Sequence, residues 1–264
     1  MIKTNLQIIV LLLLNYAFAY AGPLVVGHRG SYRGVENTSG AFIKGAQTGY
    51  QGLETDVRVT KDGKFILCHD ETLERYGHNV RIANQTLAEL KNLTLIQTRG
   101  GVNYTDSICT LEEYLDICNQ YNCFPVIEMK WTDGINNNDF TKIPALIETV
   151  VNKGLASKAV FLTSMKPCLE FIRKNYPDLQ LQFLCYPENA LANLSWCKEN
   201  KCDVDIKTGF SEDVVNDYHK AGLKVNVWTI NNASDYKMYT TYGCDMITTD
   251  YLIPGKMVES ENIK

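Results

Sequence analysis

The chain has 264 residues, a formal charge of −4, and 45% hydrophobic and 21% charged residues. That length suits one large domain, and α/β barrels commonly have this size. No Lys/Arg cluster interrupts the acidic balance, which argues against a nucleic-acid partner, because phosphate-backbone affinity comes from clustered cations.

Residues 1–21 read as a cleaved secretory signal peptide. Lys3 is the only charge before an apolar run over 8–14, and the segment closes on Ala19-Tyr20-Ala21, an A-x-A pattern. The run is shorter than the roughly 20 residues of a membrane span. Residues 22–264 are then one domain, expected in the secretory lumen or outside the cell. No basic amphipathic helix suggests a membrane anchor, and the polar tail around Val258-Glu259-Ser260-Glu261 carries no lipid-anchor signal.

Short apolar runs then alternate with longer amphipathic stretches. The first predicted strand, 24–27, leads directly into His28-Arg29-Gly30. The second, 52–57, carries Glu54 and Asp56, whose alternation puts both carboxylates on one face. The third, 65–68, precedes His69-Asp70. The fourth, 124–128, runs into Glu128-Met129-Lys130, with Glu128 and Lys130 again on one face. Strands follow at 159–162, 181–184, 204–206, 224–228 and 246–248. Most are continuous apolar runs, as parallel strands buried on both faces require. Helical patterns lie between them, for example at 110–119, 143–153, 166–175 and 211–221; Ser211 is the expected N-cap of the last and Gly222 its stop.

This βα repetition predicts an α/β fold, with an eightfold TIM barrel the best fit to the count; an open doubly wound sheet has the same pattern. One stretch breaks the rhythm. The span from His69 to Glu128 is about twice a βα repeat of roughly 30 residues. Residues 71–108 are polar and turn-rich, and read as a loop insertion over the barrel mouth.

All nine cysteines follow the signal. In a secreted chain some should be oxidised, and the odd count leaves one unpaired. Cys118/Cys123 and Cys197/Cys202 have equal spacing and similar contexts, which suggests two local disulfides. Asn-x-Ser/Thr sequons occur at Asn37, Asn84, Asn92, Asn103, Asn193 and Asn232, which fits a secretory route and a glycoprotein.

Two carboxylates on one buried strand face need a cation between them. A hard divalent ion such as Ca²⁺ or Mg²⁺ meets that need, and so does a network with Arg29, Arg58 and Lys130. His28 and His69 each end an apolar run. A pair of imidazoles can assist an attacking oxygen and protonate a leaving one near neutral pH. Gly30 lets backbone approach a phosphate, and Arg29 can hold its oxygens in a forked hydrogen bond. Trp228 either covers a substrate or packs in the core. Tyr186 is a weaker candidate of the same kind. His78 and His219 have no supporting neighbours in sequence and read as surface residues.

In this order the motifs resemble the glycerophosphodiester phosphodiesterase family from about residue 23 onward. Gly27-His28-Arg29-Gly30 with Glu36-Asn37-Thr38 is similar to its opening motif. The run Gly52 to Gly63, leading into His69-Asp70-Glu71-Thr72-Leu73-Glu74-Arg75, is similar to its second block. Thr110-Leu111-Glu112-Glu113, Glu128-Met129-Lys130, Val225 to Asn231 and Gly243 to Asp250 continue the match. The resemblance implies a TIM barrel, a catalytic His28/His69 pair, and one divalent cation on Glu54, Asp56 and Glu128. It also implies Arg29 and Lys130 near the phosphate. The implied reaction hydrolyses a glycerophosphodiester to glycerol 3-phosphate and an alcohol; a lysophospholipid is the other candidate substrate, and would give its acylated glycerol phosphate and an alcohol. Departures are modest: Cys109 stands where a proline often precedes the Thr-Leu-Glu-Glu stretch, Pro254 lies far from Asp250, and Asn37 sits in a sequon.

Two other readings compete. A secreted phospholipase D of the sphingomyelinase toxin type shares the barrel, but typically has Asp as third ligand and lacks a long insertion after the second histidine. A non-catalytic binding protein on this barrel would have lost a histidine or an acid, and every matched position is filled.

Overall fold

Valine- and leucine-rich strands followed by amphipathic helices must bury both sheet faces, and the chain does so by closing its sheet. The structure is a computed structural model and describes residues 22–252. The expected signal peptide and Pro254 lie outside the described residues. The strands are β1 (Leu24–Gly27), β2 (Gly52–Val59), β3 (Phe65–Leu67), β4 (Leu95–Arg99), β5 (Val102–Asp106), β6 (Phe124–Met129), β7 (Val160–Thr163), β8 (Gln180–Cys185), β9 (Asp203–Lys207), β10 (Val225–Trp228) and β11 (Met246–Thr249). The helices are α1 (Ser39–Thr48), α2 (Leu87–Lys91), α3 (Leu111–Tyr121), α4 (Ile143–Asn152), α5 (Lys166–Asn175), α6 (Pro187–Glu199), α7 (Glu212–Lys220) and α8 (Ala233–Thr241).

β1, β2, β6, β7, β8, β9, β10 and β11 pair in parallel, and β1 closes the ring by pairing with both β2 and β11. This is the eightfold TIM barrel, and the open-sheet alternative falls away. Alternation sorts the side chains. Leu53 and Val57 of β2, Ile127 of β6 and Val204 and Ile206 of β9 face the helix layer in the large core cluster. Val26, Val126, Val160, Leu162 and Met246 form a separate cluster that plugs the barrel interior. Pro144, Pro167 and Pro187 open α4, α5 and α6, where a fixed φ suits the first turn.

The expected third strand does not join the barrel. β3 pairs antiparallel with β2 through the turn at 60–64. So short a connection permits only antiparallel pairing, since a parallel return needs a crossover. β2 therefore runs past its last β6 pair, Val57↔Met129, and folds back. That return delivers His69 to the mouth, with the Cys68 amide on the Asp56 carbonyl at 2.9 Å.

The insertion is a folded cap rather than a loop. It holds two 3-10 turns, the short helix α2 and the β4–β5 hairpin. Leu73, Tyr76, Ile82, Leu90, Leu95 and Ile108 give it a small apolar cluster of its own, packed on Ile66 and Cys68 of the barrel. Its sparse apolar residues conceal this from a composition reading. α2 is fixed by a capping box between Thr86 and Glu89, and α3 by one between Thr110 and Glu113. Ser211 stands at the N-cap of α7, but its side chain makes no capping bond.

The expected disulfides are corrected: all nine cysteines are free and buried. The two pairs do occupy equivalent positions, each closing a helix end by a backbone bond of 2.9 Å from the second cysteine to the first. The thiols serve as small core residues; Cys123 Sγ donates to the Tyr50 carbonyl. Burial pushes the Cys123 and Cys197 thiols up to about 11, which suppresses the thiolate that disulfide chemistry needs.

Candidate active site

The C-terminal ends of the barrel strands surround a cavity of about 290 Å³. Seven of the eight residues expected from sequence line it: His28, Arg29, Glu54, His69, Glu128, Lys130 and Trp228. Asp56 lies just beneath, fully buried, as the direct β-sheet partner of Glu128.

Each histidine is held from behind. His28 Nδ1 lies 2.8 Å from Asp250 Oδ1, and Asp250 is fixed by the Asn231 amide at 2.6 Å. His69 Nδ1 lies 2.7 Å from Asp70 Oδ1, and Arg75 from the cap grips the same carboxylate through Nε at 2.8 Å. Arg58 donates to the His69 carbonyl through Nε and Nη2 at 3.1 and 2.6 Å. Both rings thus commit Nδ1 to a carboxylate, which leaves Nε2 for chemistry. Burial lowers the pKa of His69, and nearby Arg29 and Lys130 act in the same direction.

Oxygen atoms of Glu54, Asp56 and Glu128 come within 4.8 Å of one another. Arg29 Nε lies 3.2 Å from Asp56 Oδ2, and Lys130 Nζ is 2.8 Å from Glu128 Oε1 and 3.4 Å from Asp56 Oδ1. These cations do not satisfy the cluster. Among the described residues, Glu54 receives only the Arg29 amide, at 2.9 Å, and Asp56 Oδ1 is buried without a hydrogen bond. Burial and the neighbouring carboxylates push Glu54 well above the usual range and Glu128 up to about 7. Asp56 is held low despite its burial, because Arg29 and Lys130 face it. Three convergent carboxylates with an orphaned oxygen fit a hard divalent cation, which prefers oxygen ligands.

Sequence reasoning did not assign Glu36, Asn37, Asp250 or Asp205 to the site. Glu36 is 3% exposed and accepts from Arg29, Arg75, Arg99 and the Tyr76 hydroxyl, tying the cap to the first loop. Glu36→Ala should leave Arg99 without a carboxylate partner and remove one of two from Arg29 and Arg75. Stability should fall by roughly 3 kcal/mol, the low end for a broken buried pair because Arg75 stays partly in water. The denaturation midpoint measures it.

Asn37 takes φ 59°, donates to Asp56 Oδ2 at 2.8 Å, and accepts from Thr55 Oγ1. Its sequon is therefore unusable once folded. In secreted protein, glycopeptide mass spectrometry should find Asn37 bare and glycans confined to exposed positions such as Asn84, Asn92 and Asn103. The signal for Asp250 was present: an acid directly after the last apolar strand. Asp205 showed itself only by alternation within Asp203-Val204-Asp205.

Gly30 also has a packing task. Its φ is 93°, and a Cβ there would stand 2.7 Å from the Ala41 backbone, so glycine allows the turn to pack on α1. His78 and His219 are not without partners. His78 Nε2 lies 2.7 Å from the Thr94 carbonyl, and His219 Nε2 lies 2.9 Å from Asp245. Neither lines the cavity.

Among the described residues, no helix is long and apolar enough to cross a membrane. Residues 27–253 match the glycerophosphoryl diester phosphodiesterase family. The chain is 26% identical to a glycerophosphodiester phosphodiesterase of Caldanaerobacter subterraneus subsp. tengcongensis, covering 86% of this chain and 93% of that one. A putative glycerophosphoryl diester phosphodiesterase from Silicibacter pomeroyi superposes with a TM-score of 0.77 at 23% identity, over 89% and 91% of the two chains. A phosphodiesterase from Oleispira antarctica, solved in complex with its product sn-glycerol-3-phosphate, gives 0.76 at 25% identity, over 88% and 94%. With a family model matching nearly the whole described chain, the chain belongs to the glycerophosphoryl diester phosphodiesterase family and is a phosphodiesterase.

Proposed function

We propose that the protein hydrolyses glycerophosphodiesters to glycerol 3-phosphate and an alcohol, with His28 and His69 as acid and base. The observation that carries this reading is the pair of imidazoles, each anchored at Nδ1 by a carboxylate, lining one cavity with an acid cluster. The product bound by the Oleispira antarctica enzyme supports the choice of substrate.

Arg29 and Lys130 attract the phosphate and hold its oxygens over the carboxylates. His69 is the better base, since its burial beside two cations favours the neutral ring. Its Nε2 takes the proton of the attacking water as the new P–O bond forms. His28, held by Asp250, delivers its Nε2 proton to the departing alkoxide oxygen as the old P–O bond breaks. Glu54, Asp56 and Glu128 would hold one Ca²⁺ or Mg²⁺. Such an ion supplies positive charge to the phosphoryl oxygens in the transition state. Trp228 and Tyr186, with ring centres 6.2 Å apart, form an aromatic wall of the cavity.

We infer that the enzyme works in the secretory lumen or outside the cell, on the signal pattern of residues 1–21. Cap residues 71–108 and the third acid Glu128 favour hydrolysis over the toxin-type cyclising reaction. Incubation with a panel of glycerophosphodiesters and lysophospholipids plus Ca²⁺ or Mg²⁺, followed by phosphorus NMR, tests the proposal. Glycerol 3-phosphate should accumulate; a cyclic phosphate or unchanged substrate would count against hydrolysis.

A further inference from the structure

Two polar groups in the cavity wall take no part in the chemistry above. Asp205, on β9, is 5% exposed, and its Oδ1 has no hydrogen-bond partner. Trp228, on the neighbouring strand β10, has a buried indole Nε1 that is also unpartnered. Both residues line the cavity. Buried polar atoms are almost always paired, and leaving one unpaired costs free energy, so such atoms facing a cavity point to a ligand group.

The surrounding protein offers no substitute. Asn226 stands beside Asp205 in register, but its amide donates to Thr248. Leu184 flanks Asp205 on the other side and is apolar. No cationic side chain pairs with Asp205 among the described residues. The nearest influential charge is that of Glu128, which has the same sign.

We propose that Asp205 and the Trp228 indole N–H form a hydroxyl-reading subsite, which recognises a free hydroxyl of the polyol carried on the phosphate. This rests on the phosphodiesterase reading above and specifies how its substrate is chosen. The indole can only donate and the carboxyl can accept, and a hydroxyl is the group that answers both. A quaternary ammonium group makes no hydrogen bond and would leave both atoms unpaired. The aromatic face at the rim is also already taken, since Lys207 Nζ lies 5.3 Å from the Tyr186 ring centre. The subsite therefore selects the polyol side of the diester and leaves the alcohol side free to vary.

The test is calorimetric binding of glycerol 3-phosphate, 2-hydroxypropyl phosphate and propyl phosphate in the presence of Ca²⁺. The wild type should bind glycerol 3-phosphate about 10- to 100-fold more tightly than propyl phosphate, the loss expected when buried groups go unpaired. Asp205→Leu should bind all three alike. Asp205→Asn, which keeps an acceptor, should retain most of the preference. Trp228→Phe, which keeps the ring and removes the N–H, should lose part of it.

Equal binding of the three phosphates by the wild type overturns the subsite, whatever the variants do. Undiminished preference in a folded Asp205→Leu also overturns it, because the hydroxyls are then read elsewhere. Hydrolysis of bis(4-nitrophenyl) phosphate, which has no polyol, is scored in parallel. A wild type that discriminates hydroxyls but releases glycerol 3-phosphate from none of glycerophosphocholine, glycerophosphoethanolamine and glycerophosphoinositol leaves the subsite standing and sinks the phosphodiesterase reading.

Discussion

His28→Ala and His69→Ala should each lower turnover by roughly 100-fold or more, the usual scale for a positioned acid or base. Neither side chain contributes to the hydrophobic clusters, and both face the cavity, so the folded state should survive. The two variants should differ in kind. Removing His69 deletes the base, so a substrate with an activated leaving group should remain slow. Removing His28 deletes the proton donor, so 4-nitrophenolate, which leaves without a proton, should recover much of the rate. Comparing kcat for natural and nitrophenyl diesters reads this out. Near-wild-type turnover in either variant would remove that histidine from the mechanism.

Chelation should abolish activity, and added Ca²⁺ or Mg²⁺ should restore it. Glu54, Asp56 and Glu128 converge within 4.8 Å, while Arg29 and Lys130 supply only two charges to three acids. The imbalance leaves Glu54 and Glu128 with raised proton affinity, and a divalent ion would displace those protons. Affinity should therefore rise with pH as Glu128 loses its proton near 7. Glu54→Gln, Asp56→Asn and Glu128→Gln should each weaken binding in a direct calorimetric titration. If the chelated enzyme stays fully active and elemental analysis finds no ion, the carboxylates belong to the Arg/Lys network instead.

The barrel was legible because parallel strands buried on both faces leave continuous apolar runs. Residues 24–27, 124–128 and 224–228 mark their strands almost to the residue. The site was legible for a related reason. Chemistry on this fold collects where strands end, so His28, Glu128 and Trp228 announce themselves by position. Alternation put Glu54 and Asp56 on one strand face, and the family resemblance made them ligand candidates. The cap was harder to read, because Leu73, Tyr76, Ile82 and Leu90 are spaced by no regular period and pack only after the hairpin closes.

The sequence by itself determined the barrel and that two histidines and three acids meet at its mouth, because strand pattern, strand ends and motif order carry that information. Asp70 stands behind His69 as its neighbour in sequence, but tertiary structure alone decided what stands behind His28 and the acids. Asp250 reaches His28 from the far end of the chain because the last strand closes the ring beside the first. Asn37 donates to Asp56 because a left-handed turn aims it inward. Glu36 gathers arginines from three separate segments, and the equal spacing of the paired cysteines yields no bond because their thiols are spent in the core. Such contacts join residues far apart in sequence, and no local periodicity encodes them.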